Sequence, residues 1–457
     1  MPGFRKFRWL VAAALVACFT GRLSADLSQP GPYPAGWRQV TVTRANNTTF
    51  TARLFYPGMT AGQNAALNGD GAPYAAVSFG HGFFQAVSKY QSTLEHLATH
   101  GYLVIASDSE GGLFPSHQNL ANDMSRCLTY LEQENARSGS FLESAVDTSN
   151  FGLSGHSMGG GCAVLAASAD ARLRAVVTLA AANTNPSAVA ASPLVTAPSS
   201  FVSGSQDSIV PVGSHGQLMY GATVTARTLP LIIGGFHCGF TDSGGIGCDT
   251  GSISRATQLA ITRRVMTEFF NLYLKGDQTV WSQVWGPSGD SNVARTDDPN
   301  VSVSPGAETS SGRAGAPAIR TFVVTNTGPN PGTFSVFFDG SLWPVAADPP
   351  VTPVLAPGQS FLVSVRVTIP ALNAPEVDEL VVSVRADSDG GSRGYATLTV
   401  RGFCASDFDL DGFVTGKDFD LFAAAFETGG AIADFDGDGF VTGTDFDLYV
   451  QAFEAGC

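Results

Sequence analysis

The chain reads as three folded units in series. The first is an α/β unit with a mostly parallel sheet covered by helices on both faces; an antiparallel β-sandwich and a small all-α module follow. Three observations carry this. Short apolar runs alternate with helical stretches from Trp37 to about Lys275, period-two segments separated by Pro-Gly and Asp-Gly turns come next, and an acidic motif occurs twice near the C-terminus. A length of 457 residues exceeds one ordinary domain. With 44% hydrophobic and 14% charged residues the chain is not disordered, and 52 Gly without a three-residue period exclude collagen. The net charge of −14 argues against a phosphate-backbone partner. That charge is concentrated: from Cys404 onward there are ten Asp and two Glu against one Lys, so residues 1–403 carry only −3.

The N-terminus places Arg5, Lys6 and Arg8 before an apolar run from Trp9 to Phe19, followed by small and polar residues. This run is too short for a membrane span and fits a signal peptide over residues 1–25, cut after Ala25, so export is expected. Leu15, Val16, Ala17 and Cys18 also form a lipobox-like sequence, which gives the alternative of a lipid anchor on Cys18. Outside the cytoplasm the other six cysteines can pair. Proximity suggests Cys238 with Cys248, and Cys404 with Cys457 at the two ends of the acidic module. Cys127 and Cys162, both on expected helices, either pair or remain buried thiols.

In the first unit, residues 30–285, buried strands are expected at Tyr74–Phe79, Tyr102–Ser107, Phe151–Gly155, Ala175–Ala180, Ser200–Ser203 and Leu229–Ile233. Helical stretches lie near Tyr90–His100, Asn119–Glu134, Ser157–Ala167 and Ser214–Tyr220, and a long one over Arg255–Lys275 ends at Gly276. Residues 286–318, rich in Pro, Gly, Ser and Ala, read as a linker. Over 319–402 the alternating segments Thr321–Thr325, Thr333–Phe338, Ser360–Ile369, Glu379–Ala386 and Ala396–Val400 predict the sandwich. The stretches Phe322–Gly328 and Leu355–Ser360 resemble immunoglobulin-like modules appended to secreted bacterial enzymes, which implies a spacer.

The sharpest chemical signal is Gly155, His156, Ser157, Met158 and Gly159, placed after an expected strand and opening a helix. This is the strand-to-helix elbow of a G-x-S-x-G nucleophile, whose glycines let the backbone turn tightly and expose the serine hydroxyl. A hydroxyl is a weak nucleophile and needs a base, and the base needs an orienting acid. In an α/β-hydrolase these follow in the order serine, acid, histidine, on loops after later strands. Asp207 and His237 satisfy that order and placement. Among the seven histidines, His81, His96, His100, His117 and His156 come too early, and His215 sits on an expected helix. Asp242 and Asp249, the rivals of Asp207, both follow His237. The oxyanion donors expected are the amides of Met158, just after the nucleophile, and Phe83, in the loop after the first buried strand.

With these motifs, and with residues 100–104 and Gly82 and Phe83 beside them, residues 37–275 resemble the secreted α/β-hydrolases that include cutinases and bacterial polyester (PET) hydrolases. The resemblance implies a serine carboxylic-ester hydrolase of cutinase, polyester-hydrolase or lipase type that needs no catalytic cofactor. It also implies that the Phe83 ring and Met158 hold the acyl group. Ala181, Ala182 and Asn183 stand where the family's polyester hydrolases carry a Trp. Deacylation of plant polysaccharide (acetyl or feruloyl esters) is an alternative, and an inert surface adhesion or scaffold protein is another.

In the third unit, residues 404–457, Asp407, Asp409, Asp411, Gly412, Phe413 and Asp418 recur 27 residues later as Asp434, Asp436, Asp438, Gly439, Phe440 and Asp445. Carboxylates at positions 1, 3, 5 and 12, a glycine bend at 6 and the carbonyl at 7 suit a Ca²⁺ ion. Each copy continues into a short helix, Phe419–Glu427 and Phe446–Glu454. Asp at position 12 and one helix per loop resemble type I dockerin modules, which implies calcium-dependent folding and a cohesin-like or cell-surface receptor. No nucleic acid and no transmembrane segment are expected.

Overall fold

The computed structural model describes residues 26–285, 289–387 and 392–457; the signal-peptide and Cys18 readings lie outside them. The first unit is built on ten strands. These are β1 (Ala35–Thr43), β2 (Thr49–Pro57), β3 (Gly62–Gln63), β4 (Tyr74–Gly80), β5 (Leu103–Ser107), β6 (Val146–His156), β7 (Leu173–Leu179), β8 (Ser199–Gly204), β9 (Arg227–Ile232) and β10 (Val293–Asp298). Their order in the sheet is β10-β9-β8-β7-β6-β4-β5-β2-β1-β3. From β5 through β9 every pairing is parallel, while β2 and β10 flank this block antiparallel.

The central strands read as unbroken apolar runs because both of their faces are covered. Every residue of β4 and β5 is buried. Helices His117–Ala136 and Met158–Ala167 bring Leu120, Met124, Leu128 and Val164 onto one face. Helices Gln91–Thr99 and Arg255–Leu274 bring Leu94, Leu97, Phe269 and Phe270 onto the other. Ser116 and Ser254 cap two of them by accepting the amides of Asn119 and Thr257, and Gly276, at φ +67°, follows the end of the last.

The expected linker over 286–318 is not one. Within it, β10 joins the first sheet, and β11 (Val301–Ser304) and β12 (Ala307–Arg313) belong to the sandwich. Its polar composition is consumed by specific pairings. Arg227 binds Asp298 at 2.7 Å and Thr228 donates to Asp297, so a strand that looks like solvent-facing chain is fastened to β9. The α/β unit therefore runs to Asp298 rather than ending at 285.

The sandwich adds β13 (Pro317–Asn326), β14 (Phe334–Asp339), β15 (Val345–Asp348), β16 (Ser360–Thr368), β17 (Glu376–Ala386) and β18 (Arg393–Phe403). Its two sheets have the orders β11-β13-β16-β15 and β12-β18-β17-β14. Phe322, Val324, Val365, Leu380, Val382 and Leu398 meet between them. One pairing, β12 with β18, is parallel, which corrects the wholly antiparallel expectation. β12 is the edge strand of its sheet, and its last residue is Arg313.

Helices Gly416–Glu427 and Gly443–Ala455 form the third unit around a stacked pair, Phe422 and Tyr449, with centroids 3.8 Å apart. Cys404 and Cys457 join its two ends, and Cys238 pairs with Cys248, while Cys127 and Cys162 remain separate buried thiols. The Arg313 guanidinium of β12 stacks 3.5 Å over Phe408 and donates to the Ile432 carbonyl, tying this unit to the sandwich. Among the described residues no helix is long and apolar enough to cross a membrane.

Candidate active site

The nucleophile elbow is dictated by close backbone approach. A Cβ on Gly155 would lie 2.3 Å from the Gly159 carbonyl oxygen, and one on Gly159 would lie 2.1 Å from that of Gly80. Only glycine permits β6 to pass so directly into helix Met158–Ala167. The turn forces Ser157 to φ +58°, a conformation side chains rarely adopt, and its amide and carbonyl are fixed by Leu179 O and by the amides of Gly161 and Ala182.

Asp207, beyond β8, and His237, beyond β9, converge on it. His237 Nε2 lies 2.9 Å from Ser157 Oγ, and His237 Nδ1 lies 2.7 Å from Asp207 Oδ2. All three residues are buried. The second carboxylate oxygen of Asp207 accepts the amides of Ile209 and Val210, so the acid cannot swing away from the imidazole. Such an arrangement can withdraw the serine proton through a histidine held in one tautomer.

Met158 is the first residue of its helix, where an amide has no intrahelical acceptor. Phe83 follows Gly82, whose own N–H is taken by Tyr90 Oη at 3.0 Å. Its ring is about half exposed, whereas Met158 is buried. Phe84 beside it holds φ +55°, a strained value for a bulky side chain. Exposed apolar side chains cluster on the loops that leave the same ends of the sheet strands: Phe83 and Phe84 after β4, Leu113 and Phe114 after β5, Ile209 after β8, and Ile246 after β9.

Of the rival residues, His156 packs at a tilt against His237 with ring centroids 4.5 Å apart but points its Nδ1 at Tyr90. Burial, with His237 beside it, holds His156 well below its ordinary pKa, so it is a neutral ring under the triad. His215 accepts the Asn183 amide, and Asp242 accepts from Ser92. The Asp249 carboxylate receives backbone amides next to both Asp207 and His237. No spacing rule points to Tyr90 or Asp249; each reaches the site by a tertiary contact, Tyr90 through His156 and Asp249 through the amide of His237.

In the last unit, carboxylate oxygens of Asp407, Asp409 and Asp418 converge within 4.8 Å, as do those of Asp434, Asp436 and Asp445. Asp411 and Asp438, expected in the same sets, lie outside these clusters and instead accept the Phe413 and Phe440 amides of their own loops. Position-12 Asp418 and Asp445 also cap their helices from Thr415 and Thr442. Crowded carboxylates of this kind suit a hard divalent cation bound through oxygen.

A family model described as PET hydrolase-like matches residues 24–245. Over 147 residues, 32% of this chain, the sequence is 29% identical to "Cutinase est1" of Thermobifida alba, covering 47% of that protein. Over the same share it is 28% identical to "Cutinase 1" of Thermobifida cellulosilytica and to a cutinase of Thermobifida fusca, covering 53% and 46% of them. The match thus spans about half the length of these curated relatives. The sandwich and the acidic module lie beyond the matched residues. Residues 24–245 therefore carry a PETase-like, cutinase-like family domain, with the α/β-hydrolase fold that the parallel sheet and its covering helices express.

Proposed function

We propose that the protein is an exported serine ester hydrolase working through an acyl-enzyme on Ser157. The observation that carries this is the continuous line from Ser157 Oγ through both nitrogens of His237 to Asp207. His237 takes the hydroxyl proton as Oγ attacks the ester carbonyl, and Asp207 stabilises the resulting imidazolium. The amides of Met158 and Phe83 hold the oxyanion, His237 returns the proton to the leaving alcohol, and a water repeats the sequence to free the acid. The exposed apolar side chains around this end of the sheet favour an ester with an apolar body, polymeric or lipid, over an acylated glycan. The reading is tested by p-nitrophenyl butyrate hydrolysis in the wild type and in Ser157→Ala. A panel of polyester film, tributyrin and acetylated xylan then ranks the substrate classes.

We further infer that residues 404–457 bind two Ca²⁺ ions. Asp407, Asp409 and Asp418 would hold one, Asp434, Asp436 and Asp445 the other, with the Phe413 and Phe440 carbonyls completing each set. The ions would neutralise carboxylates that otherwise repel, coupling the fold of this unit to calcium. Its role on this reading is attachment to a cohesin-like or cell-surface receptor, with the sandwich as spacer.

A further inference from the structure

Asp249 was a rival for the acid of the triad by residue type alone, yet it does not touch the imidazole. Its Oδ2 accepts the amide of His237 at 2.9 Å and that of Ser208 at 3.2 Å, and its Oδ1 accepts the amide of Cys238 at 3.0 Å. One carboxylate thus holds the residue that bears the base and the residue that follows the acid. Asp207 and His237 stand on separate loops, after β8 and β9, and the catalytic distance between them depends on how those loops are registered.

Other ties between the two loops sit closer to the strands. Gln206 donates its amide to Gly235, and Ser205 Oγ accepts that of Gly234. The base loop is also anchored from behind by buried Gln258, which accepts the Phe236 amide and donates to the Phe236 carbonyl. Asp249 is the tie that reaches His237 itself and the residue directly after Asp207. It is half-buried, and it is delivered to this position by the disulfide between Cys238 and Cys248, the residues next to His237 and next to Asp249.

Resting on the ester-hydrolase reading, we propose that Asp249 is a positioning residue for the triad: its carboxylate, carried by the Cys238–Cys248 loop, is a non-covalent cross-link that fixes the acid loop against the base loop. Charge-assisted acceptors bind amides more strongly than neutral ones, so a carboxylate can hold three N–H groups where an amide oxygen would not. A consequence is that the Cys238–Cys248 bridge serves the triad through Asp249.

The test uses the full chain, with kcat and KM for p-nitrophenyl butyrate measured for wild type, Asp249→Asn and Asp249→Ala, and folding checked by thermal unfolding. Asp249→Asn keeps the shape but loses an acceptor oxygen and the charge. Displacing catalytic groups by a fraction of an ångström to an ångström costs up to about 100-fold. The proposal expects kcat to fall about 10- to 100-fold in Asp249→Asn with KM within about threefold of wild type, since the ester-binding surface is untouched. A wild-type kcat in a folded Asp249→Asn enzyme overturns it, as does a loss confined to KM. Should the variants fail to fold, a Cys404→Ser/Cys457→Ser enzyme, treated with dithiothreitol, opens the Cys238–Cys248 bridge alone among the described cysteine pairs. The proposal then requires kcat to drop at constant KM, and an unchanged kcat overturns it. Wild-type protein without esterase activity would instead refute the ester-hydrolase reading.

Discussion

Tyr90 Oη lies 2.9 Å from Nδ1 of His156, beneath the nucleophile elbow, and the same oxygen receives the amide of Gly82 from the loop that carries Phe83. Both side chains are buried. The hydroxyl therefore links two segments that must meet for catalysis on the proposed scheme, the elbow and the oxyanion loop.

Replacing Tyr90 with Phe removes this link and leaves the Gly82 N–H and His156 Nδ1 without their partner. An unsatisfied buried polar group costs about 1–3 kcal/mol. Thermal unfolding of Tyr90→Phe should show a loss of that order, and kcat for p-nitrophenyl butyrate should fall as the Phe83 amide loses its support. A variant as stable and as active as wild type contradicts the role given to this hydroxyl.

Stability should fall in mild acid. Burial pushes His96 down to about 3, lowers His100, and holds His156 well below its ordinary value. In the folded protein His96 and His156 stay neutral while the unfolded chain protonates them below about 6.5, so their contribution is present above that pH and lost beneath it. His96 alone accounts for about 2 kcal/mol between pH 7 and pH 5. Thermal melts at the two pH values should differ, and His96→Gln should narrow the gap. Equal melting temperatures at pH 7 and pH 5 would count against the buried neutral rings.

The two acidic loops should not be equivalent. Lys417 Nζ sits 2.7 Å from Asp409 in the first, while Thr444 occupies the matching place in the second. A cation entering the first loop has to displace or tolerate that ammonium. Calorimetric titration with Ca²⁺ is expected to resolve a weaker and a tighter event, and Lys417→Thr should strengthen the weaker one. An isotherm unaltered by Lys417→Thr would remove the lysine from the account, and no binding at all would remove the calcium reading.

The parallel core was legible because β4, β5 and β8 are short and buried along their whole length, as is the second half of β6 from Phe151, so their character survives without knowledge of their neighbours. β10 and β12 were not. Their residues, Val-Ala-Arg-Thr-Asp-Asp in one and a Ser-rich run in the other, gain strand structure only from partners such as Arg227 and from backbone pairing to β18, distant in the chain. At the site, Ser157, Asp207 and His237 could be read from their places after strands. Tyr90 and Asp249 could not, because each is recruited by tertiary contact, one across the sheet end and the other through a disulfide loop.

Whether Ser157 attacks the ester is decided by kcat for p-nitrophenyl butyrate in Ser157→Ala beside wild type. Loss of a triad nucleophile should lower kcat by roughly 10⁶-fold, to the residual rate left by oxyanion stabilisation and binding. A Ser157→Ala enzyme that keeps most of the wild-type kcat would contradict the account.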